Sequence, residues 1–520
     1  MMEGSARESL REVAVLAPIC QTNEWCLIGL IVAVIAYYYI SWRKAFSYWT
    51  DRHICGPKPI PIFGNVLSLS LNTRTLVELQ WYKKYGKIFG LYISAKPWLT
   101  VADPQLIKQI LVKDFNSFRN RQPRARPNGL LIKNMVRARD DDWKRVRAIA
   151  TLTFTPGKLR KMYGLINHCC KDFIDSLDKD VSNGMNEVEL KQLMGAYTMD
   201  VIASCAFATK TNAYADPYNP FTTKANNCLL FPFGKVNTGI YRRTLNTGAS
   251  ESDFFIDISR SLIQKRKKNN EKHNDFLQLL MDAERSDGDI QEASDANEAH
   301  HVNEGKDEME ADAEALSDVV EKKLTEDEIL RQCFLFFNRL RDNCHYSVVL
   351  YDRLYETKDV FNEKGEIDYE VLSRLPFIDA LISETLRSYP PVLRLEREAM
   401  EDVMLGNTGV KIEKGVIAEI PVYAIHHDPD HYPDPFTFSP DRFMPENRDR
   451  IQAYTYLPSG SGRLHCIGMR FALLSTKLAL TQISHSFRFS RVTDTDVPVV
   501  FNKGRALCQA KRLVVGIQKR

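Results

Sequence analysis

Residues 458–480, PSGSGRLHCIGMRFALLSTKLAL, decide the reading of the whole chain. Ser459, Gly460, Ser461 and Gly462 punctuate a loop that delivers one cysteine, Cys466. An apolar run follows in which Phe471, Leu474 and Leu478 recur at helical spacing. Glycines let a backbone come close to another group. The first amides of a helix point back at what precedes it. A cysteine so placed can be held as a thiolate, the form that ligates metals. A buried free cysteine beside a turn would look the same over Cys-x-Gly alone, so the rest of the chain has to decide.

The 520 residues are 44% hydrophobic, enough for a large core, and the net charge of +4 is nearly balanced. No nucleic-acid-binding reading follows from that charge. Eleven scattered cysteines form no disulfide framework and no paired Cys-x-x-Cys zinc spacing. Adjacent Cys169 and Cys170 suit helix packing. The pattern fits a reducing, cytosol-facing compartment.

Residues 1–24 are polar. Residues 25–42 are apolar, end in Tyr37, Tyr38, Tyr39 and Trp42, and are followed by Arg43 and Lys44. That predicts a single-span anchor with the bulk of the protein on the cytoplasmic side. A cleavable leader is disfavoured because the positive charge follows the apolar run. Residues 43–65, with Pro57, Pro59 and Pro61, read as a basic, proline-rich hinge. Two strands are expected over 87–93 and 98–101, and Asp103-Pro104 opens a helix. A basic helix begins near Asp142. Trp143 and Arg147 lie four apart on one face of it and together can hold a carboxylate. Lys144 and Arg145 point elsewhere and are candidates for a docking patch. Residues 199–207 read as a packing helix. Residues 119–136 and 219–248 have poor periodicity. Residues 286–319 are acidic and devoid of aromatics, and read as a disordered insertion. Thr325 and Glu328 form a capping box ahead of a long helix. Glu384 and Arg387 lie three apart on one helix face, a spacing usually met in surface pairs, and Arg442 falls within Pro440-Asp441-Arg442-Phe443. Strand-like residues 416–421 and a turn at 423–429 follow, and residues 499–517 close the chain as a β region.

Taken in order, these words resemble the cytochrome P450 family, in particular its microsomal clan with drug-oxidising and thromboxane-synthase-type members. The resemblance covers nearly all of the chain after residue 56. It implies a mainly helical fold with small β-sheets, one haem-thiolate domain over 66–520, and an N-terminal transmembrane helix. It implies haem b with Cys466 as axial ligand, where a thiolate pushes electron density into the iron. By the same resemblance Trp143, Arg147 and Arg397 bind the haem carboxylates, while Glu384, Arg387 and Arg442 brace the cysteine loop. The implied partners are NADPH–cytochrome P450 reductase, cytochrome b5, membrane lipid and an apolar small molecule. The implied location is the endoplasmic reticulum membrane.

Four departures stand out. Ser459 occupies the place of the family's phenylalanine, Leu464 that of an arginine that meets a haem propionate, and Arg463 sits one residue early. The largest departure is at 338–349, Asn-Arg-Leu-Arg-Asp-Asn-Cys-His-Tyr-Ser-Val-Val. The family shows Ala/Thr-Gly-x-Glu/Asp-Thr-Thr there, whose acid and alcohol deliver protons to bound dioxygen. Back-translated and read one nucleotide later, the stretch allows Thr-Gly-Tyr-Glu-Thr-Thr-Ala-Thr-Thr-Leu-Ser-Tyr. A frame-shifted reading of an intact motif is one explanation, and real divergence is the other. In the given frame no catalytic acid is assignable. The expected function is a monooxygenase oxidising lipids, steroids or xenobiotics. The alternatives are a haem-thiolate isomerase of lipid peroxides and a catalytically impaired haem protein.

Overall fold

The computed structural model describes residues 24–122, 134–216, 218–221, 223–224, 247–285, 324–339, 360–363, 365–504 and 507–520. The insertion expected at 286–319 lies outside the described residues, as does most of the stretches 1–24, 119–136, 219–248 and 338–349.

The chain opens with helix α1 (Glu24–Phe46), whose Leu27, Ile31 and Ile40 are exposed. It is the one helix among the described residues long and apolar enough to cross a membrane. The principal helices that follow are α2 (Arg74–Tyr85), α3 (Asp140–Thr151), α4 (Pro156–Ser182), α5 (Leu190–Phe207), α6 (Thr247–Asn269), α7 (Phe276–Arg285), α8 (Glu326–Arg339), α9 (Pro376–Ser388) and α10 (Met469–Ser486). Helix α4 starts with proline in its first turn and buries Leu159, Met162, Ile166, Cys170, Phe173 and Leu177. These residues recur at intervals of three and four, so they form one stripe facing the core. Helix α5 is buried on nearly every side, as expected for the apolar segment around 199–207.

Helix α8 begins at the predicted capping box. The backbone N–H of Thr325 donates to Glu328 Oε2 at 2.9 Å, and that of Glu328 donates to Thr325 Oγ1 at 3.3 Å. Two helix-start donors are thereby satisfied reciprocally. Ile329, Leu330 and Cys333 then enter the core.

The first sheet has the strand order β1 (Ile88–Ile93), β2 (Lys96–Val101), β7 (Ile417–Ile420), β4 (Leu395–Glu398). Strands β1 and β2, expected over 87–93 and 98–101, are antiparallel with Gly90 opposite Leu99. Strand β7 joins β2 in parallel, with Leu99 opposite Ala418, and β4 closes antiparallel with Arg397 opposite Ala418. A second sheet runs β3 (Glu187–Glu189), β9 (Val514–Lys519), β8 (Phe487–Ser490), and a two-stranded ribbon joins β5 (Val403–Met404) to β6 (Lys411–Ile412). The proline-rich segment lies against the first sheet. Asn65 and Tyr92 exchange hydrogen bonds of 2.7 and 2.8 Å, and a Cβ on Gly56 would lie 1.8 Å from the Gly90 carbonyl oxygen. Only glycine permits that approach.

Candidate functional site

The cysteine loop forms because its glycines take positive φ, +78° at Gly460 and +68° at Gly462. A Cβ on Gly462 would lie 2.3 Å from the Leu111 carbonyl oxygen, so that residue must be small as well as left-handed. The Cys466 N–H donates to the Ser459 carbonyl at 2.9 Å, folding the loop back on itself three residues before α10. The Cys466 thiol is exposed, whereas Cys169, Cys170, Cys205, Cys333 and Cys508 are buried. Burial pushes the Cys169 thiol up to about 11 and the other four higher still, which leaves them inert.

Beneath the loop, Glu384 and Arg387 are fully buried on α9. Arg387 donates to both carboxylate oxygens at 2.7 and 2.8 Å and to the His426 carbonyl at 2.8 Å. Glu384 also accepts from the Ser439 N–H at 2.9 Å and lies 3.6 Å from Arg442 Nε. The three predicted scaffold residues thus meet. Sequence reading missed a fourth, His426. Its Nδ1 faces the Arg387 carbonyl at 3.0 Å, and its Nε2 accepts from the Leu457 N–H at 2.8 Å. The imidazole therefore ties α9 to the residues that lead into the cysteine loop. Burial and the neighbouring His427 hold it neutral, well below the usual histidine range.

Trp143 is buried on α3, with its ring 5.6 Å from that of Phe115. Arg147 reaches the loop itself: its Nη1 donates to the His465 carbonyl at 2.9 Å, and its Nη2 lies 3.2 Å from His465 Nε2. Arg121 donates to the preceding carbonyl, that of Leu464, at 3.0 Å. Two guanidiniums from different segments therefore hold consecutive carbonyls immediately before Cys466. No sequence signal singled out Arg121. Leu464 is buried, and the Arg463 guanidinium stands 5.1 Å from the centre of the Phe115 ring. Arg145 leaves the expected docking patch. It pairs with Glu328 of α8 at 2.5 and 3.2 Å with only 19% of its side chain exposed, because that carboxylate offers a closer partner than solvent.

Arg397 tests whether an anionic cofactor fits. It is buried, and among the described residues its side chain makes one hydrogen bond, to the Glu396 carbonyl at 3.0 Å, while its Nε has no partner there. The nearby Glu396 carboxylate is taken by Arg394 at 2.9 Å. Burial lowers Arg397 to about 10. A buried guanidinium without a carboxylate is costly unless an anion joins it. Leu395, on the same face of β4 as Arg397, has its Cδ2 3.6 Å from where a Cβ on Gly460 would lie. The uncompensated cation thus sits on a strand that packs against the cysteine loop, and it suits a haem carboxylate.

Among the described residues no group of three or more His, Cys, Asp or Glu side chains could hold a metal ion by itself. The paired His426 and His427 serve the scaffold.

Comparison with known proteins gives the same family. The family model described as Cytochrome P450 matches residues 55–304 and 350–516. Cytochrome P450 3A2 of Rattus norvegicus is 33% identical over 526 residues, covering 95% of this chain and 96% of its own length. Cytochrome P450 3A27 of Oncorhynchus mykiss is 30% identical, covering 97% and 96%. Cytochrome P450 3A7 of Homo sapiens is 30% identical, covering 97% and 98%.

Proposed function

The chain belongs to the cytochrome P450 family, and on that premise we propose that Cys466 ligates the iron of a haem b whose carboxylate edge is held by Arg397, Arg147 and Trp143. The protein is a haem-thiolate monooxygenase. When bound, the haem supplies reductive activation of dioxygen and transfer of one oxygen atom to an organic substrate. The observation that carries the assignment is the exposed Cys466 thiol beside a strand bearing the uncompensated, buried Arg397.

The residues divide the work. The Ser459 carbonyl, bound to the Cys466 amide, fixes the direction of the sulfur. Glu384, Arg387, Arg442 and His426 keep the loop from shifting, as a buried network with most of its donors and acceptors satisfied does. Arg397 neutralises negative charge, and Trp143 is held in place by packing against Phe115. The substrates are apolar small molecules, lipids, steroids or xenobiotics, and electrons come from a reductase. NADPH–cytochrome P450 reductase, with cytochrome b5 as a second donor, is the partner we assign. The exposed apolar helix α1 supports a single-pass anchor in the endoplasmic reticulum membrane with residues 66–520 on the cytoplasmic side. The full-length similarity to the 3A proteins does not favour the isomerase alternative.

A second reading concerns the coding sequence. The family match stops at residue 304 and resumes at 350, bracketing the anomalous stretch. We infer that residues 338–349 are a frame-shifted rendering of Thr-Gly-Tyr-Glu-Thr-Thr-Ala-Thr-Thr-Leu-Ser-Tyr, whose acid and alcohol would serve proton delivery. Transcript codons that forbid this reading would refute it.

The test of the main proposal is the reduced, CO-bound absorption spectrum of the membrane-expressed chain. A red-shifted, thiolate-type Soret band that C466A abolishes is expected. The same band in C466A would overturn the ligand assignment.

A further inference from the structure

Arg147 is assigned above to a haem carboxylate, and the geometry around it shows what aims it. A guanidinium on a helix has several rotamers of similar energy. Here Nη1 donates to the His465 carbonyl at 2.9 Å, while Nη2 lies 3.2 Å from the Nε2 and 3.4 Å from the Nδ1 of the same residue. His465 is itself fixed. Its Nδ1 is 3.0 Å from the Gly462 carbonyl, and its backbone N–H donates to that same oxygen at 2.9 Å. With its proton on Nδ1, donated to the Gly462 carbonyl, the ring leaves its Nε2 lone pair as the acceptor for Arg147, and the 3.4 Å approach to Nδ1 is a contact without a hydrogen bond. One residue therefore grips the guanidinium at two points, through its carbonyl and through its ring.

The rest of the loop shows why such a grip is needed. The position before His465 is Leu464, buried in the core, and the loop's own guanidinium, Arg463, stands over Phe115. The loop thus directs no arginine from position 464 at the cofactor's edge. We propose that His465 is the positioning residue for the haem carboxylates: it holds Arg147 in the orientation in which that cation meets the propionate, replacing what an arginine at position 464 would do directly. This rests on Arg147 being a propionate partner, and the test separates the two claims.

The test is the rate of haem loss from the ferric, full-length protein to excess apomyoglobin, together with the resonance Raman band of the bending propionates. R147A should speed haem loss about 30-fold and shift the band, as removal of a charge-assisted contact does. H465L should speed loss about 10-fold and shift the same band, from one hydrogen bond to a charged group. H465Q, whose side-chain oxygen can accept from Arg147, should recover a rate within about 3-fold of the parent. In the double variant R147A/H465L the loss should be no faster than in R147A alone, because His465 acts only through Arg147. Multiplying effects, or parental haem loss in H465L, would overturn the proposal for His465. Parental haem loss and an unmoved band in R147A would overturn the assignment of Arg147 and, with it, this inference. A failure of H465L to fold leaves H465Q to decide, since a shifted band and rapid loss there would equally refute the acceptor role.

Discussion

Replacing Glu384 by glutamine changes one atom and should be among the most damaging single changes in the chain. Glu384 and Arg387 are 0% exposed. The carboxylate accepts two bonds from Arg387, at 2.7 and 2.8 Å, and one from the Ser439 N–H at 2.9 Å. Glutamine keeps one acceptor oxygen and turns the other into an NH2 group facing a guanidinium N–H. Arg387 is then a buried cation whose remaining bonds all go to neutral acceptors, the glutamine oxygen, the His426 carbonyl and the Ser388 hydroxyl. Removing one partner of a buried pair costs about 3–5 kcal/mol, a large part of the roughly 5–15 kcal/mol that holds a typical domain together. In a domain of this size each kcal/mol moves the midpoint by about 2 °C. E384Q should therefore lose its thiolate-type CO chromophore roughly 6–10 °C below the parent. R387M should behave similarly, and E384Q/R387M should be less damaged than the two effects summed, because the second change removes the stranded charge. The assay is the residual reduced-CO spectrum after a fixed incubation at stepped temperatures. Additive single and double effects, or an E384Q midpoint within about 2 °C of the parent, would refute the reasoning.

Other expectations follow from groups around the same loop. Burial lowers His427 from 6.5 to about 4, although its Nδ1 bond of 2.9 Å to the Tyr423 carbonyl acts in the opposite direction. The neutral ring is favoured in the folded chain, so about 3 kcal/mol is present above pH 6.5 and is lost as the pH falls through about 4. H427F, which keeps the stack on Tyr423, should flatten that acid limb of the melting temperature against pH, and an unchanged slope would refute the assignment. Lowering of Arg397 to about 10 corresponds to about 3 kcal/mol of burial cost in the cofactor-free chain. R397M should therefore raise the melting temperature of the haem-free chain while hastening haem loss from the loaded one; a fall in the first would show that the guanidinium is already compensated. E328Q keeps an acceptor for the Thr325 N–H but breaks the ion pair with Arg145, and should cost about 2–3 kcal/mol in thermal unfolding, with E328A costing about 1 kcal/mol more.

Features carried by spacing were legible in the sequence. The capping box at Thr325 and Glu328, the β1–β2 pair, and the i,i+3 relation of Glu384 and Arg387 are local, and local patterns survive folding. The cysteine loop was legible through the resemblance of the words around it, because Cys-x-Gly beside glycines by itself fits a buried cysteine at a turn equally well. What escaped was set by contacts between distant segments. Arg145 looks like a surface cation until Glu328 is brought to it across 183 residues. His426 looks like one of a pair of histidines until Leu457 donates to it across 31 residues. Arg121 gives no sign that it will hold the Leu464 carbonyl. Glu419 sits in a strand otherwise apolar, and only the fold supplies Arg394, 2.6 Å away, that makes a buried carboxylate there tolerable.

The join between α1 and the haem domain has a mechanical consequence. Phe46, the last residue of α1, packs its ring 5.1 Å from that of Tyr92 and accepts the Tyr92 hydroxyl at 2.8 Å through its carbonyl. Three residues on, Trp49 is seated on Gly90 and donates from its indole to the Leu91 carbonyl at 3.1 Å. No slack leash separates the two. If α1 stands in a bilayer, these contacts couple a tilt of that helix to the first sheet. The height and heading of the haem domain above the lipid are then fixed by the helix. A redox partner must arrive by lateral diffusion at a set elevation, and a lengthened insert after Phe46 would decouple the encounter while leaving the cofactor untouched.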